Sequence, residues 1–504
     1  MNEQIALLPQ YLSAHVRLVT VALIVCTLFS VPLGILATRS ARAERVVLGI
    51  ASVIQTIPTL ALLAVMVPLL GALHLPAIGV LPALVGLTLY CSLPILISTV
   101  TGIREVSPPL LEAARGVGMK PGEVLRLVEL PLASPFIVAG LRTSTVWCVG
   151  MATLSTPIGA PSLGNFIFGG LQTRNHAATL TGCVAAASLA LVLDGVVRTI
   201  EVGLRKRNRA RVLAGAAAIG ALALYTLVSS VGGLFTTTAE RPVRIGGKPF
   251  TEQYILGHVM GGTIQRDSKA KVEMVESLGS TVAFDALASG DLDVYVDYSG
   301  TLWTTVLKHT EAPADREALL STIGRELDER FGIQVAARLG FENTYCLAIR
   351  DAEAKRLGID TLSQLAVHSR DFAIGGDYEF FTRSEWTDLK KIYGYAFKEQ
   401  RSMDPSMMYQ AAAQKQVDVI SAYSTDGRIA AFELRALTDD RHVIPPYDAV
   451  VLVSKRLATE RPEVVTALKT LDGRLDAAKM RELNRQVDQE GKSPAEVAKW
   501  FLSE

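Results

Sequence analysis

No stretch of the 504 residues forms a phosphate-binding loop of the type G-x-x-x-x-G-K-[ST]. The nearest run, Gly491-Lys492-Ser493, lacks the glycine five positions earlier that would let the backbone cradle a phosphate. The chain is therefore not expected to hydrolyse ATP. No group of histidine, cysteine and carboxylate residues has metal-ligand spacing, and no serine and histidine share a supporting motif, so neither a metal, a cofactor nor a catalytic constellation is expected. Cysteine is scarce: of five, Cys26, Cys91, Cys148 and Cys183 fall in apolar stretches and only Cys346 lies outside them. A lone cysteine cannot close an intradomain disulfide, so the compartment has to be read from topology. Net charge is small, at +1, and nothing points to nucleic acid.

What the chain has is apolar length. Hydrophobic residues make up 49% and the mean hydropathy is +0.31, the signature of a membrane protein diluted by something soluble. The dilution is uneven. Residues 1–240 carry 16 Lys and Arg against 9 Asp and Glu, leaving 34 against 40 for the rest. The near-zero total thus hides a basic, apolar half and an acidic, more polar half.

Six stretches can cross about 30 Å of hydrocarbon: 16–38, 47–70, 78–100, 133–156, 178–197 and 212–231. The first lacks the charged n-region of a removable signal peptide and is followed at once by further spans. Arg39, Arg42 and Arg45 follow the first span, a charged loop follows the third, and Arg198, Arg205, Lys206, Arg207, Arg209 and Arg211 follow the fifth. The intervening connections, 71–76 and 159–176, hold only Arg174. Basic loops stay in the cytoplasm, so the N-terminus and everything after about Gly232 are expected outside. Asp194 is an acid inside a span, and pairing with Arg198 on the same helix face is expected to satisfy it.

The charged loop, residues 112–131, reads EAARGVGMKPGEVLRLVELP. Charges at the bilayer centre cost about 3 kcal/mol each, so Glu112, Arg115, Lys120, Glu123, Arg126 and Glu129 place it in water. Residues 112–117 favour a helix, Gly118 and Pro121-Gly122 interrupt it, and 123–130 are expected to form a second short helix that Pro131 ends. The spacing resembles the EAA loop of ABC importer permeases: Glu112, Ala113 and Ala114, then Gly118, an aliphatic at Val128, and Leu130-Pro131. The resemblance implies that the first helix docks into a cytoplasmic ATPase subunit and passes its motion to the membrane helices. It also implies a homodimer, since six spans enclose too little for a pathway.

From Val243 short apolar runs alternate with amphipathic helical stretches, an α/β pattern, and about 260 residues suggest two lobes with a cleft. Six blocks resemble the substrate-binding proteins of glycine betaine and choline ABC importers, which have a type II periplasmic binding protein fold: GGKPFTEQYILG from Gly246, LDVYVDYSGT from Leu292, NTYCLAI from Asn343, EFFTR from Glu379, VDVISAYSTDGRI from Val417 and DDRHVIPPYDAVVLV from Asp439. In that family tyrosines at the positions of Tyr298, Tyr345, Tyr423 and Tyr447, with an aromatic contact near Phe380, cage a quaternary ammonium. Such a group has no N–H to donate and is held by π faces. Lys248, Thr301 and Arg383 match positions that grip a ligand carboxylate. After Arg383, where many relatives have an Asp-Gly turn, this chain has Ser384-Glu385-Trp386, which is expected to alter a loop near the cleft.

The expected architecture is thus multidomain: an all-α, six-span ABC importer membrane domain (1–234), a linker (235–242), and an α/β two-lobed receptor domain (243–504) with crossovers near 345 and 447. The expected site is the bacterial inner membrane with the receptor outside. The expected function is uptake of a trimethylammonium carboxylate such as glycine betaine or carnitine, with choline and ergothioneine open. A ligand-sensing receptor without transport is the reading of another class, and the EAA-like loop argues against it.

Overall fold

The structure, a computed structural model, describes residues 2–73, 75–173, 175–235, 241–309, 315–377 and 379–504. Most of the expected linker, at 236–240, lies outside these residues, as does Arg174. The chain divides into two compact units, Met1–Phe168 with Ala177–Ala239, and Glu240–Glu504 with Gly169–His176.

Ten α-helices run to Phe235 among the described residues: α1 (Asn2–Ala37), α2 (Ala41–Thr56), α3 (Thr59–Ala72), α4 (Val80–Arg104), α5 (Pro108–Gly116), α6 (Pro121–Val124), α7 (Leu130–Ala152), α8 (Gly164–Gln172), α9 (His176–Arg205) and α10 (Arg209–Phe235). Five of the expected spans are single continuous helical runs, and the remaining one, the second, is α2 and α3 bent by 102°. Proline is the cause. Pro58 holds Ile57 at φ −73°, ψ 126°, outside the helical region, and the helix restarts at Thr59. At the centre, Gly34 meets Thr99, Gly102 meets Phe136 and Ala133, and Gly140 meets Ser98 and Pro94, each so closely that a Cβ would find an atom within 3 Å. Small residues of this kind let α1, α4 and α7 pack backbone to backbone.

Contacts between loops identify the two ends of the bundle. Arg39, just past α1, binds Glu129 in a bidentate pair (2.6 and 3.2 Å), and Glu44 pairs with Arg104 at the end of α4. At the other end Gly79 N–H donates to Ile158 C=O (2.7 Å), Leu163 N–H to His15 Nδ1 (3.2 Å), and Ser13 lies 2.6 Å from the Tyr225 hydroxyl. The bent α2–α3 pair therefore crosses once. The basic loops share the cytoplasmic end, and α10 ends beside the start of α1, outside.

Two local expectations are corrected. Pro131 does not end a helix: Leu125–Glu129 form a π turn and α7 follows without a break, with Pro131 in its first turn. The wider turn, closed by Leu130 N–H to Leu125 C=O, relieves the clash a proline ring makes with the preceding turn of an α-helix. Asp194 pairs with Arg142 of α7, not with Arg198: Nε to Oδ1 is 2.6 Å and Nη2 to Oδ2 is 3.2 Å. Glu201 extends the ladder, 3.5 Å from Arg142 and 3.0 Å from Arg205. Arg142 lies about 20 Å along the helix from Glu129, near mid-span, where an unpaired guanidinium is unfavourable. Asp194→Ala is expected to lower the melting temperature of the solubilised protein by at least about 3 °C, and Arg142→Leu with Asp194→Leu to regain most of it. An unchanged transition in Asp194→Ala would show that the pair contributes nothing.

The second unit holds two five-stranded sheets. The strands are β1 (Val243–Gly246), β2 (Val272–Val275), β3 (Val294–Tyr298), β4 (Gln334–Glu342), β5 (Tyr345–Arg350), β6 (Ala373–Gly376), β7 (Glu399–Ser402), β8 (Val419–Tyr423), β9 (Leu434–Ala436) and β10 (Asp448–Val453). Their orders are β2-β1-β3-β10-β4 and β7-β6-β8-β5-β9. β1, β2 and β3 are parallel, as are β6, β7 and β8, while β10 and β5 run antiparallel to their neighbours. The chain changes sheet between β4 and β5 and returns between β9 and β10, so each sheet is the core of one lobe. β3 and β10 are buried along their whole length, as strands covered on both faces require. In such sheets ligands gather at the carboxyl ends of the parallel strands.

Candidate functional site

Those carboxyl ends carry the predicted residues. Lys248 follows β1, Tyr298 ends β3 with Thr301 one turn on, Phe380 and Arg383 follow β6, and Tyr423 ends β8. Tyr345 opens β5 and Tyr447 precedes β10, at the two crossings between lobes. The rings converge. Tyr345 lies 4.9 Å from Tyr423, 5.3 Å from Phe380 and 5.8 Å, edge to face, from Tyr447. Tyr298 joins through Phe250, which stacks on it at 6.3 Å and on Tyr423 at 5.7 Å. Phe250, the extended residue just before α11 (Thr251–Ser268), couples a ring of one lobe to a ring of the other. It lies in the first block, and its aromatic type was the available signal for it.

Close packing at Tyr447 depends on Gly300. A Cβ there would sit 2.4–2.6 Å from three atoms of the Tyr447 ring, so the ring lies flat on bare backbone. Ser299 fixes the same turn, donating to Pro446 C=O and accepting from Asp448 N–H, each at 2.8 Å. Thr301 is buried in that turn.

Each of the four tyrosine hydroxyls is engaged. Tyr298 O–H donates to Glu252 (2.6 Å), the Tyr423 hydroxyl lies 3.2 Å from both Tyr345 and Asp377, and Tyr447 O–H donates to Glu385. Burial pushes all four phenols above their usual range, so the rings stay neutral. Glu252, which sequence reasoning missed, is a fully buried hub. Besides Tyr298 it accepts from Thr425 (2.5 Å), Asn343 (2.9 Å) and Asn484 (3.2 Å), and thereby ties α11 to both lobes. Burial raises its pKa despite those donors, and Asp377 is raised likewise against the Phe380 and Glu379 N–H groups. Only a three-dimensional list of donors exposes such a residue.

The cations of the site have internal partners. Lys248 Nζ is 2.5 Å from Asp297 Oδ1, both nearly buried, and lies 5.6 Å from the centre of the Tyr298 ring. Arg383 covers the Tyr345 ring at 5.2 Å, donates to Glu379 (2.8 Å) and lies 4.0 Å from Glu385. Its buried Nε has no partner among the described residues. Burial opposes ionisation of Glu379, yet the charges of Arg383 and Lys248 hold its carboxyl below the usual range. Lys248 and Arg383 thus act on one carboxylate. Ser384-Glu385-Trp386 is not a loop: it is the first turn of the helix Ser384–Tyr393. Glu385 enters the site, and Trp386, almost fully buried, backs Phe380 at 5.3 Å.

In the first unit Glu112, Ala113, Gly118 and Pro131 are exposed, Ala114 faces the bundle and Leu130 is half-buried. α5 ends on Gly118, at φ +88°, with Gly118 N–H bound to Arg115 C=O and Met119 N–H to Ala114 C=O. This is a glycine C-cap. Leu110, in the first turn of α5, and Val117, just past its last, are exposed apolar residues seven positions apart and so lie along one side of the helix.

Comparison with known proteins gives two family matches. Residues 241–504 match the substrate-binding domain of ABC-type glycine betaine transport systems, and residues 30–206 the inner-membrane component of binding-protein-dependent transport systems. An ergothioneine transport permease and binding protein of Helicobacter pylori (strain G27) is 32% identical over 94% of this chain and 86% of its own length. A choline transport permease of Bacillus subtilis (strain 168) is 45% identical over 37% of this chain and 83% of its own. The crystal structure of a glycine betaine/carnitine/choline ABC transporter component is 35% identical, covers 52% of this chain and 97% of its own, and has a TM-score of 0.45.

Proposed function

Because the chain belongs to the binding-protein-dependent ABC importers of the glycine betaine class, with permease and receptor in one polypeptide, we propose that it captures a trimethylammonium carboxylate outside the inner membrane and passes it through its own helices. The membrane domain is 1–234 and the receptor 243–504, joined by 235–242. Two copies form the pathway, and separate cytoplasmic ATPase subunits dock on α5 and drive it. The observation that carries the ligand class is the ring cluster assembled from both lobes, with Arg383 and Lys248 beside it. Rings of Tyr298, Tyr345, Tyr423 and Tyr447 hold the ammonium, and the cations, with the Thr301 hydroxyl, face the carboxylate. Both lobes contribute, so ligand favours closure.

Ergothioneine, a betaine of histidine, is the second reading, favoured by the fused relative that aligns over nearly the whole chain. Calorimetry of the full chain in detergent with glycine betaine, carnitine, choline and ergothioneine separates the cases. Saturable binding of none of them would overturn the ligand class. In the same assay Tyr345→Ala, which strips the ring touching three others, is expected to weaken the best ligand roughly thirty-fold or more, and Tyr298→Ala, Tyr423→Ala and Tyr447→Ala roughly five- to thirty-fold. Tyr→Phe keeps the π face but removes the bonds to Glu252, Asp377 or Glu385, so its effect is expected in domain stability more than in affinity. An unchanged affinity in an alanine variant removes that tyrosine from the cage.

A further inference from the structure

The loop between α4 and α7 has two feet, Arg104 and Glu129, and both are held by one short element. The connection from α1 to α2 is three residues, Thr38, Arg39 and Ser40. It is stiffened at each step: Thr38, Arg39 and Ser40 N–H groups bond back to Gly34, Leu36 and Ala37, and Ser40 caps α2 through Ala43 N–H (3.4 Å) and its carbonyl to Glu44 N–H (2.9 Å). From this elbow Arg39 reaches Glu129 and Glu44 reaches Arg104, two ion pairs of opposite sense. Exposed ion pairs contribute little, but here the carboxylates are sheltered: Glu129 is 6% exposed and Glu44 17%. A sheltered carboxylate without its cation is unfavourable, so each pair is strongly preferred over separation.

The mechanical setting gives these pairs a use. Glu129 is the last residue of the π turn, an irregularity that recurs at functional sites. Arg104 ends α4, and α2, one step past the elbow, leads into the 102° bend at Pro58. The loop is joined covalently to α4 and α7 only. We propose that the elbow Arg39–Glu44 is a second coupling element, which clamps both feet of the loop so that its displacement by the ATPase is passed to α2 and the bend at Pro58 as well as to α4 and α7. Arg39 and Glu44 are positioning residues in this scheme. The inference rests on the reading of the loop as the ATPase-coupling element.

The test uses the full chain co-expressed with its ATPase subunit and reconstituted in vesicles, with labelled glycine betaine as transport probe and ATP hydrolysis measured in parallel. Arg39→Glu and Glu129→Arg singly are expected to raise the ATP hydrolysed per molecule imported about tenfold or more, and Arg39→Glu with Glu129→Arg to bring the ratio back within about threefold of the parent by restoring the pair reversed. Glu44→Arg and Arg104→Glu form an independent second set. A merely structural role would lower the yield of protein in the vesicles and leave this ratio unchanged among the molecules that remain. An unchanged ratio in the single variants, or no recovery in either reversed pair, overturns the proposal. Gly118→Leu keeps the two readings apart: if it uncouples while the elbow variants do not, the elbow fails and the loop reading stands, whereas normal import in Gly118→Leu removes the loop reading itself.

Discussion

Import should fall to background in Gly118→Leu while the receptor domain binds ligand as before. Two effects add. Gly118 sits at φ +88°, where an L side chain is strained by roughly 1–2 kcal/mol, so the C-cap of α5 is loosened. The second effect lies outside the chain: a Cβ at 118 would meet no atom within 4 Å and would point into open space. A Cβ at 118 therefore strains the turn through its own backbone, and any further obstruction comes from whatever packs against the exposed end of α5. Val117, 76% exposed, and Leu110, 44%, are the apolar neighbours such a partner would cover. Gly118→Asn should be milder, because asparagine tolerates positive φ better than other residues with a Cβ. Uptake assays in cells, with membrane levels checked by immunoblot, decide it. Normal uptake by Gly118→Leu would mean that α5 is an ordinary cytoplasmic loop.

The spacing of residues 112–131 was legible because a surface that must fit a partner fixes residue types at fixed intervals along one helix and its cap. The blocks of the receptor half were legible for a related reason: β-strand ends carry the ring and charge residues, and strands are short, contiguous runs. What escaped notice was pairing across the sequence. Asp194 and Arg142 are 52 positions apart, Arg39 and Glu129 are 90, and no local periodicity links them. Arg198 is a reasonable partner on a helical wheel, yet Arg142 offers Nε and Nη2 together from a neighbouring helix, and two aligned bonds outweigh one. Pro131 was misread for a different reason, since a proline signals a break only if the backbone cannot rearrange, and a π turn is such a rearrangement. The Ser384-Glu385-Trp386 stretch contains no glycine, proline or Asp-Gly pair, and serine is also a common helix start, which is the sign that it continues as helix. Nothing in the sequence around Glu252 sets it apart, and only its four donors reveal it as a buried hub.

Arg383→Ala is expected to separate ligands that carry a carboxylate from those that do not. The guanidinium is neutralised by Glu379, whose side chain keeps 49% of its surface in water although the packing around it disfavours its charge, so a ligand's carboxylate can take its place on Arg383. The partnerless Nε supplies a further donor. Lys248 is the weaker probe, because its buried pair with Asp297 makes its removal a folding defect as well. Loss of the charged partner should weaken a betaine by about 2–5 kcal/mol. Choline, with no acid end, loses nothing by this change and can gain, because Glu379 and Glu385 are then left to attract its cation. Glu379→Gln should act in the opposite sense, tightening betaine and weakening choline, since it removes the internal competitor for Arg383 while discarding a carboxylate near the cage. Titration of both ligands against the parent and the two variants at one ionic strength reads all of this. If betaine and choline lose affinity equally in Arg383→Ala, the arginine holds the lobes together through its bond to Thr305 (3.4 Å) without reading the ligand, and the preference for a zwitterion would have to be abandoned in favour of a quaternary ammonium alone.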